Sequence, residues 1–159
     1  MKIHVIGSGS TGNGYIIESN GKKLIVELGC KWKFYLEALK YNIESVEGAL
    51  ASHRHIDHLA ALGNALQYLI PVYSNKEVAT EHPLVNSLST EYSYMIGGFK
   101  VQCLKVPHNA LCYSFIIKCP SGEKILFATD LSKFNYKVSG CDVIMMEANY
   151  DEDIIYESL

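Results

Sequence analysis

Apolar and polar residues alternate over Lys2 to Ile6, the two-residue period of a strand, and Tyr15 to Glu18 is another short β run. Asn20-Gly21 is a tight-turn dipeptide, and Lys23 to Glu27 follows as a third strand, so the chain opens on hairpins. Then the period changes. Trp32, Tyr35, Leu36 and Leu39 form a helical stripe over Trp32 to Lys40, and Val46 to Ala51 is a short strand running up to a histidine cluster. Asp57 to Leu69 is the clearest helix: Leu59, Leu62, Leu66 and Leu69 recur every three or four residues, and Pro71 stops it. A short strand at Val72 to Tyr73 and a short helix at Lys76 to Glu81 come next. Pro83 to Tyr94, rich in Ser, Asn and Thr, reads as a surface loop over a site. The β pattern returns at Phe99 to Val106, Ser114 to Lys118 and Glu123 to Ala128, with Pro120-Ser121-Gly122 turning between the last two. Asp142 to Met146 is nearly all apolar and is expected at the centre of a sheet. Asp151 to Leu159 reads as the start of a helix with an acidic first turn. There is no repeat and no linker. Strands, one main helix and strands again predict an α/β domain of two packed sheets with helices outside.

Composition narrows the function. The chain has 159 residues, 48% of them apolar, enough for one domain with a real core. Fourteen Lys+Arg against 17 Asp+Glu leave a net charge of −3, which excludes a module holding nucleic acid by bulk positive charge. Nucleotide chemistry at a metal site stays open, because metals bring their own charge. No apolar run approaches the ~20 residues of a membrane span, and the N-terminus does not read as a leader. Cys30, Cys103, Cys112, Cys119 and Cys141 are odd in number without a C-x-x-C pair, the usage of a reduced, cytoplasmic, mostly buried set.

Gly7, Gly9 and Gly12 spell G-x-G-x-x-G, and Glu27 lies twenty residues after Gly7. The dinucleotide reading fails on context, since a helix must follow the glycines and here β residues follow. A phosphate loop fails because Asn13 stands where lysine is required. The stretch is instead a small-residue hairpin, either purely structural or one whose small residues let backbone lie close to a site.

The chemistry is concentrated in Ser52-His53-Arg54-His55-Ile56-Asp57-His58, an H-x-H-x-D-H motif. In extended chain His53 and His55 point the same way and reach one metal together, while Asp57 and His58 reach a second. Imidazole with carboxylate suits zinc, manganese or iron. His108 and Asp130 each follow a β run and sit at strand ends; His108 reads as the third histidine of the first metal and Asp130 as the bridging carboxylate. His4 reads as structural and His82 as exposed. Glu27 and Glu147, at strand ends, are candidate acceptors behind ligand histidines.

These residues make the chain resemble the metallo-β-lactamase superfamily, and within it the small bacterial and phage members of the WalJ/YycJ-like type. The matching pieces, in family order, are Gly7-Ser8-Gly9-Ser10-Thr11-Gly12-Asn13, His53 to His58, Val106-Pro107-His108, Ala128-Thr129-Asp130, and Glu147-Ala148-Asn149 with Asp151. The resemblance implies an αββα sandwich, C-terminally shortened, forming a single metallo-hydrolase domain over 1–159. It implies two divalent ions, zinc first and manganese second. One would be held by His53, His55 and His108, the other by Asp57 and His58, with Asp130 shared. The family's last histidine has no counterpart after Asp130, so a weaker second metal, an open sheet edge and a homodimer are expected. Glu27 stands where aspartate is usual, Asn109 where Asp is frequent, and Tyr150 where His is common.

A di-metal hydroxide attacking a phosphodiester follows from the same resemblance, with Asp57 and His58 as catalytic residues and a nucleic acid or small nucleotide as substrate. Lys31, Lys33, Arg54 and Lys133 are candidate phosphate contacts. The rivals are a cyclic-nucleotide phosphodiesterase, a lactamase or thioester hydrolase, and a degenerate metal-binding protein with little activity.

Overall fold

The computed structural model describes residues 1–147, so the helix expected over Asp151 to Leu159, and Tyr150, lie outside the described residues. Strands β1 (Lys2–Gly7), β2 (Gly14–Ser19) and β3 (Lys22–Leu28) form an antiparallel meander. Its second turn is Asn20-Gly21, both at positive φ (50° and 76°), the geometry that joins strands without splaying them. Helix α1 (Trp32–Ala38) then crosses to β4 (Val46–Leu50), which lies parallel to β3. After β4 come α2 (Ile56–Leu59), α3 (Leu62–Gln67), β5 (Val72–Ser74), α4 (Lys76–Glu81) and β6 (Asn86–Ser87). These complete a six-stranded sheet in the order β1-β2-β3-β4-β5-β6. Strands β7 (Ser93–Ile96), β8 (Phe99–Val106), β9 (Cys112–Lys118), β10 (Lys124–Ala128) and β11 (Val143–Met146) form the second sheet.

Period-two alternation makes two cores from the same strands. On β2, Tyr15 and Ile17 face the second sheet and meet Phe99, Phe115, Ile117 and Phe127, while Ile16 faces the helices. Beneath the helices, Ile16, Ile25, Ala49 and Val72 pack against Trp32, Tyr35, Leu39, Leu62 and Val78. The described residues are thus one helical layer and both sheets of an αββα sandwich. Four of the cysteines are buried, and all five are unpaired.

Three expectations need correction. The helix over Asp57 to Leu69 is two short helices. Its missing rung is the bond from the Ala61 N–H to the Asp57 carbonyl. The Ala61 N–H goes instead to the Leu28 carbonyl (2.7 Å), and the Asp57 carbonyl accepts from the Asn13 N–H (2.8 Å). Tertiary hydrogen bonds have replaced a helical one, and Leu69 ends the segment at a positive φ of 58°. Next, Pro83 to Tyr94 is no plain loop. It gives an edge strand to each sheet, anchored by buried Val85 and Leu88. Finally, β11 is not central: it is an edge among the described residues, parallel to β10, with Ile144 and Met146 exposed. A smaller difference is that α1 stops at Ala38, because Lys40 and Tyr41 turn to positive φ (53° and 60°).

Candidate metal centre

The six expected ligands converge at the carboxyl ends of β4, β8 and β10. His53 to His58 leave β4 and enter α2, His108 follows β8, and Asp130 follows β10. The donor atoms fall into two groups, each able to hold one ion: His53, His55, His108 and Asp130, and Asp57, His58 and Asp130. Asp130 belongs to both.

Spacing tests the fit. A zinc ion bound ~2.0–2.1 Å from four donors sets neighbouring donors about 3.3–3.4 Å apart. His53 Nε2 lies 2.9 Å from His55 Nδ1, His108 Nε2 3.3 Å from His55 Nδ1, and His53 Nε2 3.4 Å from Asp130 Oδ2. In the other group His58 Nε2 is 3.3 Å from Asp57 Oδ2 and 2.6 Å from Asp130 Oδ2. Three of the five spacings match a tetrahedral ion; the 2.9 and 2.6 Å pairs are at hydrogen-bonding distance and would have to open by about 0.4–0.8 Å to admit one. The mixed imidazole and carboxylate donors suit zinc, and manganese also accepts them.

The outer nitrogens are occupied as metal ligation requires. His53 Nδ1 is 2.8 Å from Ser52 Oγ and 3.7 Å from Cys112 Sγ, which leaves Nε2 for an ion. His58 Nδ1 is 3.2 Å from Glu27 Oε2. Glu27 reaches it through a bulge: β2 and β3 pair Gly14 with Leu28 and Tyr15 with Val26, skipping Glu27. At φ 66° the bulged residue turns its carboxylate inward, where Oε2 also accepts from the Ser52 N–H (3.2 Å). Holding a glutamate in this left-handed region costs ~1–3 kcal/mol, offset by the surrounding bonds. Asp130, at φ 51°, donates its N–H to Glu147 Oε2 (2.9 Å), so Glu147 supports the shared carboxylate's backbone.

Charge is divided unevenly between the histidines. Burial, reinforced by the imidazoles of His58, His108 and His55, pushes His53 down to about 2, so it is neutral and ready to ligate. Burial also pulls His58 down, but the hydrogen bond and charge of Glu27, then Asp130 and Asp57, outweigh it and lift His58 to about 9. Burial lowers His108. Burial raises the Asp130 carboxyl, against His58 and with Glu147 and Asp57.

Other candidates fall elsewhere. His4 pairs with Glu18 (3.2 Å), and His82 is exposed after α4. Arg54 Nε lies 3.8 Å from Glu77, Lys33 sits over the Phe34 ring (4.9 Å), and Lys31 and Lys133 are exposed. Ser52, Cys112 and Asn13 also touch the site, though the motif reading gave none of them a role there. Ser52 stands next to His53 in sequence, a signal that was available. Cys112 carries none, being 59 positions from its partner.

A helical layer on two sheets with an H-x-H-x-D-H loop at their edge defines a class. The pattern of the metallo-beta-lactamase superfamily matches residues 7–109, and the chain belongs to that superfamily. Within it the chain is WalJ/YycJ-like. It is 30% identical to the exodeoxyribonuclease YycJ of Bacillus anthracis, over 98% of this chain and 66% of the relative. Against the exodeoxyribonuclease WalJ of Streptococcus pneumoniae the identity is 25%, over 98% of this chain and 65% of the relative. The chain therefore spans just under two thirds of the length of both. Human tRNase Z, short form, shares the fold at a TM-score of 0.72 with 14% identity, covering 99% of this chain and 81% of its own.

Proposed function

We propose that this chain is a metal-dependent phosphodiesterase that acts on DNA, taking single strands or strand ends. The observation that carries the reading is the pair of donor groups sharing Asp130. It is supported by likeness to two bacterial exodeoxyribonucleases along nearly the whole chain. His53, His55 and His108 would hold one cation and Asp57 and His58 the other, zinc first by donor type and manganese second. Bound there, the ions would supply a water activated at neutral pH and positive charge for the developing phosphorane oxygens.

The chain's own side chains do the rest. The Asp57 carboxylate, half-buried beside His58, orients the attacking water through its second oxygen. Glu27 fixes the tautomer of His58, and Ser52 engages Nδ1 of His53, so that both present Nε2 inward. With neutral imidazoles as most of the donors, two dications leave the centre net positive, which suits a phosphodiester. No described helix is long and apolar enough to cross a membrane, and five unpaired cysteines fit a reducing, cytoplasmic compartment.

Hydrolysis of end-labelled single-stranded DNA with added zinc or manganese, run beside a cyclic-nucleotide panel, tests the reading. Wild type should shorten the DNA, and His55→Ala and Asp57→Ala should each lower the rate at least a hundredfold while staying folded. Full activity in both variants would refute it.

A further inference from the structure

Asn13 closes the glycine-rich hairpin that a dinucleotide site would have claimed, and its side chain has no part in the ligand set. It is nonetheless 4% exposed and bonded on every side. Its backbone N–H donates to the Asp57 carbonyl and its own carbonyl accepts from the Gly29 N–H, both at 2.8 Å. Its Oδ1 accepts from the Gly9 N–H (3.1 Å), and one Nδ2 hydrogen goes to the Gly9 carbonyl (3.2 Å). That leaves the second Nδ2 hydrogen. Nδ2 lies 3.3 Å from His58 Nε2 and 3.5 Å from Asp57 Oδ2, the two atoms that His58 and Asp57 offer to a cation.

We infer that Asn13 is the positioning residue of the Asp57/His58 half of the centre. The inference rests on the two-cation reading. The amide hydrogen has two acceptors in reach. Once His58 Nε2 ligates a cation its lone pair is used, and only Asp57 Oδ2 can take that hydrogen. Asn13 then holds one Asp57 oxygen, while its backbone N–H fixes the Asp57 main chain. Before any ion arrives the Asp57 main chain is already held and the Asn13 amide already lies within reach of Oδ2, which lowers the ordering cost of binding. His53, His55 and His108 lie outside this grip, so the effect is confined to one half of the centre.

The test compares wild type, Asn13→Ala and Asn13→Ser. Serine keeps an oxygen for the Gly9 N–H but is too short to reach Asp57, so the hairpin is retained while the grip is lost. Titration with cobalt(II), followed by its visible spectrum, reads two uptake steps. Both variants should take the first equivalent as wild type does and the second with ~10–100-fold weaker affinity. A residue that merely held the hairpin would weaken both steps or neither. Two unchanged affinities, or equal weakening of both, would overturn the inference. If wild type itself takes up one equivalent, the two-cation reading fails on its own. Crystal structures of chelated wild type and Asn13→Ser then decide the role of Asn13 separately. A displaced Asp57 carboxylate in the variant supports it, and an unmoved one refutes it.

Discussion

Replacing Gly29 with alanine tests how the centre is stitched to the fold. Gly29 lies just past β3, where the backbones of three segments meet. A Cβ there would overlap the Asp57 carbonyl and sit 2.7 Å from the Asn13 nitrogen. Neither neighbour can yield alone, because the Asn13 N–H donates to that same carbonyl and the Gly29 N–H to the Asn13 carbonyl, both at 2.8 Å. Making room breaks both bonds, at about 1 kcal/mol each, and adds overpacking strain of ~1–3 kcal/mol. The sum is about 3–5 kcal/mol, or about 6–20 °C in Tm for a chain of this size. The matched control is Gly63→Ala in α3, where a Cβ meets nothing within 4 Å. It should be neutral or stabilising by up to ~1 kcal/mol, since alanine is the better helix former. Thermal melts of both variants in chelator, followed by circular dichroism, read the difference. Because Asp57 moves with its carbonyl, Gly29→Ala should also bind its second cation more weakly. A Gly29→Ala melt within 2 °C of wild type would refute the stitching argument.

Stability of the chelated protein should peak near pH 6.5 as far as His53 and His58 control it. His58, raised to about 9, stabilises fully below the ordinary 6.5, and this is lost as pH rises through 9. His53, lowered to about 2, stabilises above 6.5, and this is lost as pH falls towards 2. Urea midpoints in chelator between pH 5 and 9.5 check the shape, and a steady rise through that range would contradict it. At pH 7.5, filling the Asp57/His58 position should release about one proton, because a cation on Nε2 displaces the proton that His58 holds. Calorimetry in buffers of different ionisation enthalpy measures this, and zero release would count against the assignment. Glu27→Gln should weaken that same position ~10–100-fold while leaving the His53/His55/His108 position unchanged, as metal competition titrations would show.

The H-x-H-x-D-H loop was legible because its four donor side chains fall within six residues, so local geometry alone brings them together. His108 and Asp130 were legible as residues that end strands. β2 and β3 were legible as short apolar runs without alternation, because one face meets the helices and the other the second sheet. What could not be read depends on long-range bonds. The leucine pattern over Asp57 to Leu69 is truly helical, but the rung at Ala61 is taken by Leu28, 33 positions away, and by Asn13. Likewise β11 is apolar enough for a central strand, and its place beside β10 alone among the described residues is a matter of pairing order. Glu27, a candidate acceptor, does lie against His58 Nδ1, yet the bulge that turns it inward leaves no mark in composition.

The most direct test of the metal centre is anomalous diffraction from crystals grown with zinc or manganese. Two cations should appear, one among His53, His55 and His108 and one between Asp57 and His58, with the Asp130 carboxylate touching both. No cation at these side chains, or one held without Asp130, would contradict the two-metal account.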